Sequence, residues 1–208
     1  MAELSATEKF VVGLGNPERR YQGTRHNVGF MVLKELRRRW DFGRGKAKFH
    51  GRCWSGVIAG EPVTLLAPRT YMNRSGVAVA GMMASRSIDP AGVLVVMDDM
   101  ALPTGRLRAR PRGSAGGHKG LEDILRATGT DALPRLRVGI GSPPEGVDGM
   151  EYVLARFEED EKPVMLEAIR RAADAVEGWA AKGITYVMNH YNQSELEIKD
   201  TQQDGKGL

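Results

Sequence analysis

The chain has 208 residues, 41% of them hydrophobic, with 26 glycines and one cysteine, which suits a single domain that buries its own core without disulfide staples. One thiol forms no internal bridge, the opening MAELSATEKF does not read as a secretory signal, and the longest uncharged apolar run, SGVAVAGMMAS, is too short to span a bilayer, so a cytoplasmic protein with no membrane partner is expected. The net charge of +4 is unevenly spread, with 12 Lys and Arg against five acids in residues 1–60 and eight against three in 104–140, so one basic side facing a polyanion is expected.

In chain order, KFVVGL is a short apolar run closed by Gly-Asn-Pro and reads as a buried strand and turn. NVGFMVLKELRRRW places Val28, Met31, Val32, Glu35, Leu36 and Trp40 in helical relation, with Asn27 as N-cap and Gly43 past the end. WSGVIAGEPVTLLAP reads as a hairpin around Gly-Glu-Pro, RSGVAVAGMMAS as a helix of small residues, and GVLVVM as a second buried strand ending at Asp98. The LPTG turn leads into RLRARPR, the glycine-rich GSAGGHKG, a helix LEDILRATG and a strand RLRVGIG. Pro163 then opens a long helix with Val164, Leu166, Ile169, Ala173, Val176 and Trp179 on its apolar face. Strands and helices alternate, which predicts an α/β fold: one mixed, mostly parallel sheet covered by helices on both faces, with ligands near the carboxyl ends of its strands. A short extension over 1–8, one domain over 9–192 and a polar, frayed tail over 193–208 complete the expected organisation.

Parallel strands would bring Asn16 and Asp98 to the same edge of that sheet. His26 lies just before the first helix, where the positive helix terminus favours a neutral imidazole, and a neutral imidazole can act as a base. Asp98 is the candidate to fix its tautomer; a histidine that merely caps the helix is the alternative. GLGNPE departs from a dinucleotide fingerprint, because Glu18 stands where the third glycine belongs, and four scattered histidines with one cysteine show no metal-ligand spacing. Arg106, Arg108, Arg110 and Arg112 recur at period two, so an extended backbone would turn all four guanidiniums to one face. A phosphate chain would relieve their repulsion, and a solvated edge strand is the competing reading; Arg135 and Arg137 in the next strand tilt the balance towards RNA.

The boxes VVGLGNP, YQGTRHNVGF, APRTYMNRSG, MDDMALPTG, GSAGGHKGL and LRVGIG, in this order, resemble the bacterial-type peptidyl-tRNA hydrolase family over residues 9–192. The resemblance implies a monomeric enzyme, free of metal or organic cofactor, that cleaves the ester joining a peptide to the 3′-terminal ribose of tRNA. It implies catalysis by His26 with Asp98 and Asn16, contacts to the peptide and the water from Asn73, a crevice lined by Tyr21 and Met72, and a clamp for tRNA phosphate at Arg108, Arg110 and Arg137. Three positions depart from the pattern: Glu18 replaces a glycine, Ala101 an acid, and Lys119 the asparagine that contributes to substrate binding. Lys119 keeps a donor but loses the acceptor and adds charge. A non-catalytic RNA- or partner-binding protein on the same scaffold is the runner-up, and a nucleotide-dependent oxidoreductase a third reading.

Overall fold

The computed structural model describes residues 8–192. Its sheet is built from β1 (Lys9–Gly13), β2 (Lys46–Lys48), β3 (Gly51–Ile58), β4 (Glu61–Pro68), β5 (Val93–Asp99), β6 (Leu107–Arg110) and β7 (Arg135–Gly139), in the order β2-β3-β4-β1-β5-β7-β6. The four central strands, β4, β1, β5 and β7, run parallel, while β2, β3 and β6 add antiparallel edges. β1 and β5 are buried on both faces, as their unbroken Val-rich runs require. The expected hairpin is β3-β4, but its turn is Ala59-Gly60, both at positive φ, and Glu61 and Pro62 already belong to β4.

One face carries α1 (Val28–Arg39), α5 (Glu161–Lys182) and α6 (Ile184–Tyr191); the other carries α2 (Ser75–Arg86) and α3 (Lys119–Thr128), and α4 (Gly149–Leu154) lies beside the 3-10 turn Arg25–Asn27 that precedes α1. α1 stops at Arg39, before the Gly43 expected to follow it, and Arg37, Arg38 and Arg39 fill the last turn, where positive charge complements the helix dipole. Gly29 lets α1 lie against the sheet: a Cβ there would come within 2.3 Å of the Leu14 amide nitrogen and 2.5 Å of the Val96 carbonyl oxygen.

α5 begins two residues before Pro163, and its buried stripe differs from the expected one. Val164 and Leu166 are exposed, whereas Met165, Ala168, Ala172 and Ala175 join Ala173, Val176 and Trp179 in the core. A helix turns about 100° per residue, so the neighbours of Met165 leave the contact face, and the small alanines allow a close approach to the sheet. The free edge of β6 is closed by one side chain. The Oδ1 of Asn192 accepts from the Ala109 amide at 2.6 Å, its Nδ2 donates to the Ala109 carbonyl at 3.0 Å, and its own carbonyl accepts from Arg106 at 2.7 Å. Glu8 anchors the other end of the described chain through Thr64 and Arg86, both at 2.7 Å. Residues 1–7 and the expected tail from 193 lie outside the described residues.

Candidate active site

β5 carries Asp98 as its next-to-last residue, and a 3-10 turn over Arg25–Asn27 carries His26 directly ahead of α1. Asp98 is 2% exposed, and both of its oxygens meet His26 Nδ1, at 2.9 and 3.0 Å. A carboxylate only accepts, so Nδ1 carries the ring proton and Nε2 keeps the lone pair of a base. His118 is the second partner. Its Nε2 lies 3.1 Å from Asp98 Oδ1, and its Nδ1 accepts from the Leu121 amide at 3.2 Å, capping α3. Because Nδ1 is occupied as an acceptor, the His118 proton sits on Nε2 and points at Asp98.

The aspartate therefore receives N–H groups from two imidazoles. Burial alone would raise its pKa, but His118 and His26 outweigh burial and hold the carboxyl well below the usual carboxylate range. The donor atoms of His26, Asp98 and His118 lie within 4.8 Å of one another, a spacing a cation could bridge. Their proton inventory suits hydrogen bonding instead, since both ring nitrogens that face Asp98 are donors.

Asn16 is fixed from three sides. Its amide donates to Asn27 Oδ1 at 2.8 Å, its carbonyl accepts from Asn27 Nδ2 at 3.0 Å, and its Oδ1 accepts from the Met72 amide at 3.0 Å. This occupies the side-chain oxygen and leaves Nδ2 as the donor open to a ligand. Asn27, expected as the N-cap of α1, occupies that position but spends its side chain on Asn16, one residue from His26. The preceding Arg25 is buried as well: it bonds to the Arg156 carbonyl, pairs with Glu161 at 2.5 Å, and stacks on Tyr152 and Phe157 with its guanidinium carbon 4.3 and 5.3 Å from their centroids.

A cleft of about 420 Å³ opens over the couple, walled by His26, Asp98, Met100, His118, Lys119 and Met150. Lys119 sits at its rim, exposed, with its ammonium 3.1 Å from Glu122. Met72 is buried and packs beneath Gly120, Asn73 is exposed just ahead of α2, and Tyr21 is half-buried under the Arg20 guanidinium, 4.8 Å from its ring centre. None of these three is among the residues that wall the cleft over His26.

The basic edge differs from the expected row of four. Arg108 and Arg110 are exposed on β6 and form no ion pair among the described residues, but Arg106 is tied to Asn192 and Arg112 to Asp131 at 3.2 Å. β6 is only four residues long, so period-two alternation holds for its two arginines and not beyond. Arg137 stands opposite Arg108 in register, 3.2 Å from Asp99. Arg135, which the pattern had aligned with it, is fully buried and donates to the carbonyls of Leu133, Gly113, Ser114 and Asp131, so it holds the glycine-rich loop in place and is not available to RNA. Burial and the nearby Arg137 lower its pKa to about 10, where it is still a cation at neutral pH.

The family model described as peptidyl-tRNA hydrolase matches residues 10–199, which include every one of these side chains. The chain belongs to the peptidyl-tRNA hydrolase family. A peptidyl-tRNA hydrolase from Bacillus pumilus is 43% identical over 182 residues, covering 88% of this chain and 97% of its own length. One from Geobacillus thermodenitrificans is 43% identical over 185 residues, covering 89% of this chain and 100% of its own. Among solved structures, the peptidyl-tRNA hydrolase of Acinetobacter baumannii is 34% identical and superposes with a TM-score of 0.83 over 92% of this chain and 97% of that one.

His118 and Arg25 were not singled out by the sequence reading. His118 falls in the glycine-rich GSAGGHKG, and Arg25 stands beside His26 in TRHNVGF. The nearest available signal was a polar residue directly before an amphipathic helix, which marks a cap but says nothing about a carboxylate on a distant strand.

Proposed function

We propose a division of labour for the hydrolysis of peptidyl-tRNA, the reaction of the family to which the chain belongs. His26 Nε2 takes a proton from water as the hydroxide attacks the ester carbonyl, and Asp98 stabilises the imidazolium that forms. The attack opens the C=O to a tetrahedral oxyanion. Asn16 Nδ2 donates to the peptide beside it. The C–O bond to the 3′-terminal ribose then breaks, and the ribose oxygen leaves with the proton that His26 carried. Products are free tRNA and a peptide with a new carboxylate. The observation that carries this reading is the His26–Asp98 couple, with Nε2 unoccupied and facing the cleft.

Asn73 is assigned to hold the peptide and the water, Tyr21 and Met72 to shape the peptide side, and Lys119 to meet the substrate at the rim of the cleft. Selectivity for peptidyl over simple aminoacyl esters follows from amides that need a peptide bond as their partner, since a site built around that group leaves polar atoms unpaired without it. Arg108, Arg110 and Arg137 hold the tRNA phosphate near the acceptor end, which makes affinity salt-dependent. The reading includes a monomer acting in the cytoplasm, with 9–192 as the catalytic unit; among the described residues no helix is long and apolar enough to cross a membrane. A pure binder has no use for a buried carboxylate that fixes two imidazoles, so the geometry favours catalysis.

The test compares cleavage of peptidyl-tRNA and aminoacyl-tRNA by the wild type and by His26→Ala. The wild type should prefer the peptidyl ester, and the variant should lose about a thousandfold in rate while still binding tRNA. Undiminished cleavage by the variant removes His26 as the base.

A further inference from the structure

A second cavity, of about 460 Å³, is walled by Glu18, His50, Arg69, Thr70, Tyr71 and Arg74. It begins where the asparagines end. Glu18 follows Asn16 by two residues, Tyr71 and Arg74 bracket Met72 and Asn73, and the Met72 amide is bonded to Asn16 Oδ1.

The charges of this wall are unbalanced. Arg69 and Arg74 are exposed, and among the described residues neither forms an ion pair or a side-chain hydrogen bond. The Thr70 hydroxyl is buried and has no partner either. Glu18, the one carboxylate here, is already engaged: it pairs with Arg20 at 2.8 Å and accepts from the Tyr71 hydroxyl, which raises the phenol's pKa. A concave surface with two uncommitted guanidiniums and a spare hydroxyl is complementary to a carboxylate.

The sheet order indicates whose carboxylate. Taken across the sheet, β4, β1, β5, β7 and β6 and the loops after them carry in turn Arg69, Asn16, Asp98, Arg137 and Arg108. With the tRNA acceptor end over β7 and β6, as proposed above, the peptide leaves the ester in the opposite direction, past Asn16 and Asn73. We infer that this cavity receives an acidic side chain of the peptide, in the residue or two preceding the esterified one, and that Arg69 and Arg74 give the enzyme a preference for acidic nascent chains. A run of tRNA phosphates fits less well, because the cavity lies on the far side of the base from the exposed arginines of β6.

The inference rests on the family reaction and on the assigned direction of the substrate, and the experiment separates these. Three N-acetylated tripeptidyl-tRNAs with alanine as the esterified residue are prepared, carrying Asp-Asp, Ala-Ala or Lys-Lys before it. For the wild type the Asp-Asp substrate should show a KM about fivefold below that of Ala-Ala, with kcat unchanged, the scale expected of partly exposed ion pairs. Arg69→Ala combined with Arg74→Ala should erase the difference, and Arg74→Glu should favour Lys-Lys. Equal KM values in the wild type, or a preference that survives in the double variant, overturn the inference. Equal weakening of all three substrates and of free tRNA in the double variant also overturns it, and assigns the cavity to phosphate. Equilibrium binding of the three substrates to His26→Ala must give the same ranking, so the inference is judged even if the Ala-Ala ester is not turned over, the result that would sink the proposed reaction itself.

Discussion

Replacing Asp98 by asparagine keeps the shape of the site while changing where its protons sit. An asparagine offers one acceptor oxygen and an NH2 group where the carboxylate offers two acceptors. His118 cannot adapt, because its Nδ1 accepts from the Leu121 amide and its proton is therefore fixed on Nε2. The asparagine oxygen stays with His118, the NH2 turns to His26 Nδ1, and the His26 proton moves to Nε2, which is the position of the base. A wrong tautomer of this kind costs about 10⁴ in kcat in a serine-protease triad, or about 5.5 kcal/mol of barrier. We expect a loss of the same order in single-turnover cleavage of peptidyl-tRNA at neutral pH, with tRNA affinity unchanged, and nitrogen NMR of His26 should report a proton on Nε2. A loss of less than about tenfold, or a ring still protonated on Nδ1, would refute the reasoning. Stability carries a second signature. Asp98 is held below its ordinary 3.8, so the stability it contributes is present above that pH and is lost as pH falls towards the folded-state value. The asparagine variant should lack this acid dependence in denaturation measurements.

Arg25→Met should lower unfolding free energy by about 3 kcal/mol, since it strands the partly buried Glu161, and should reduce kcat more than KM by loosening the turn that carries His26; Arg25→Lys should recover part of both, read by denaturant titration and steady-state kinetics. Asn192→Ala should cost about 1–2 kcal/mol for the two lost bonds to Ala109, leave kcat intact, and speed amide exchange at Ala109. Arg110→Ala should weaken binding of free tRNA and lower the slope of log K against log salt by about 0.7–0.9, whatever the sequence of the tRNA.

The order of strands and helices, the parallel centre and the delivery of Asn16 and Asp98 to neighbouring strand ends were legible because burial on both faces leaves unbroken apolar runs and because β1 and β5 pair directly. Arginine at period two was legible only as far as the strand lasts. Period-two spacing aligned Arg135 with Arg137 on the side of RNA, yet it is the most deeply buried arginine, satisfied by the backbone carbonyls of Gly113 and Ser114 in the glycine-rich loop and of Asp131 and Leu133 ahead of β7. The contact face of α5 was misread in the same way, because alanines carry little hydrophobic signal and still decide how near a helix can come.

The sequence offers His26 and Asp98 as candidates for a base and its carboxylate, with a helix-capping histidine as the alternative, since residue type and the nearness of a helix start or a strand end are local properties. Which ring nitrogen holds the proton is not local. It follows from a carboxylate 72 residues away in the chain, shared with a second histidine whose own proton is fixed by the cap of another helix. Hydrogen-bond direction depends on which donors and acceptors the fold brings within about 3 Å, and only the folded chain decides that.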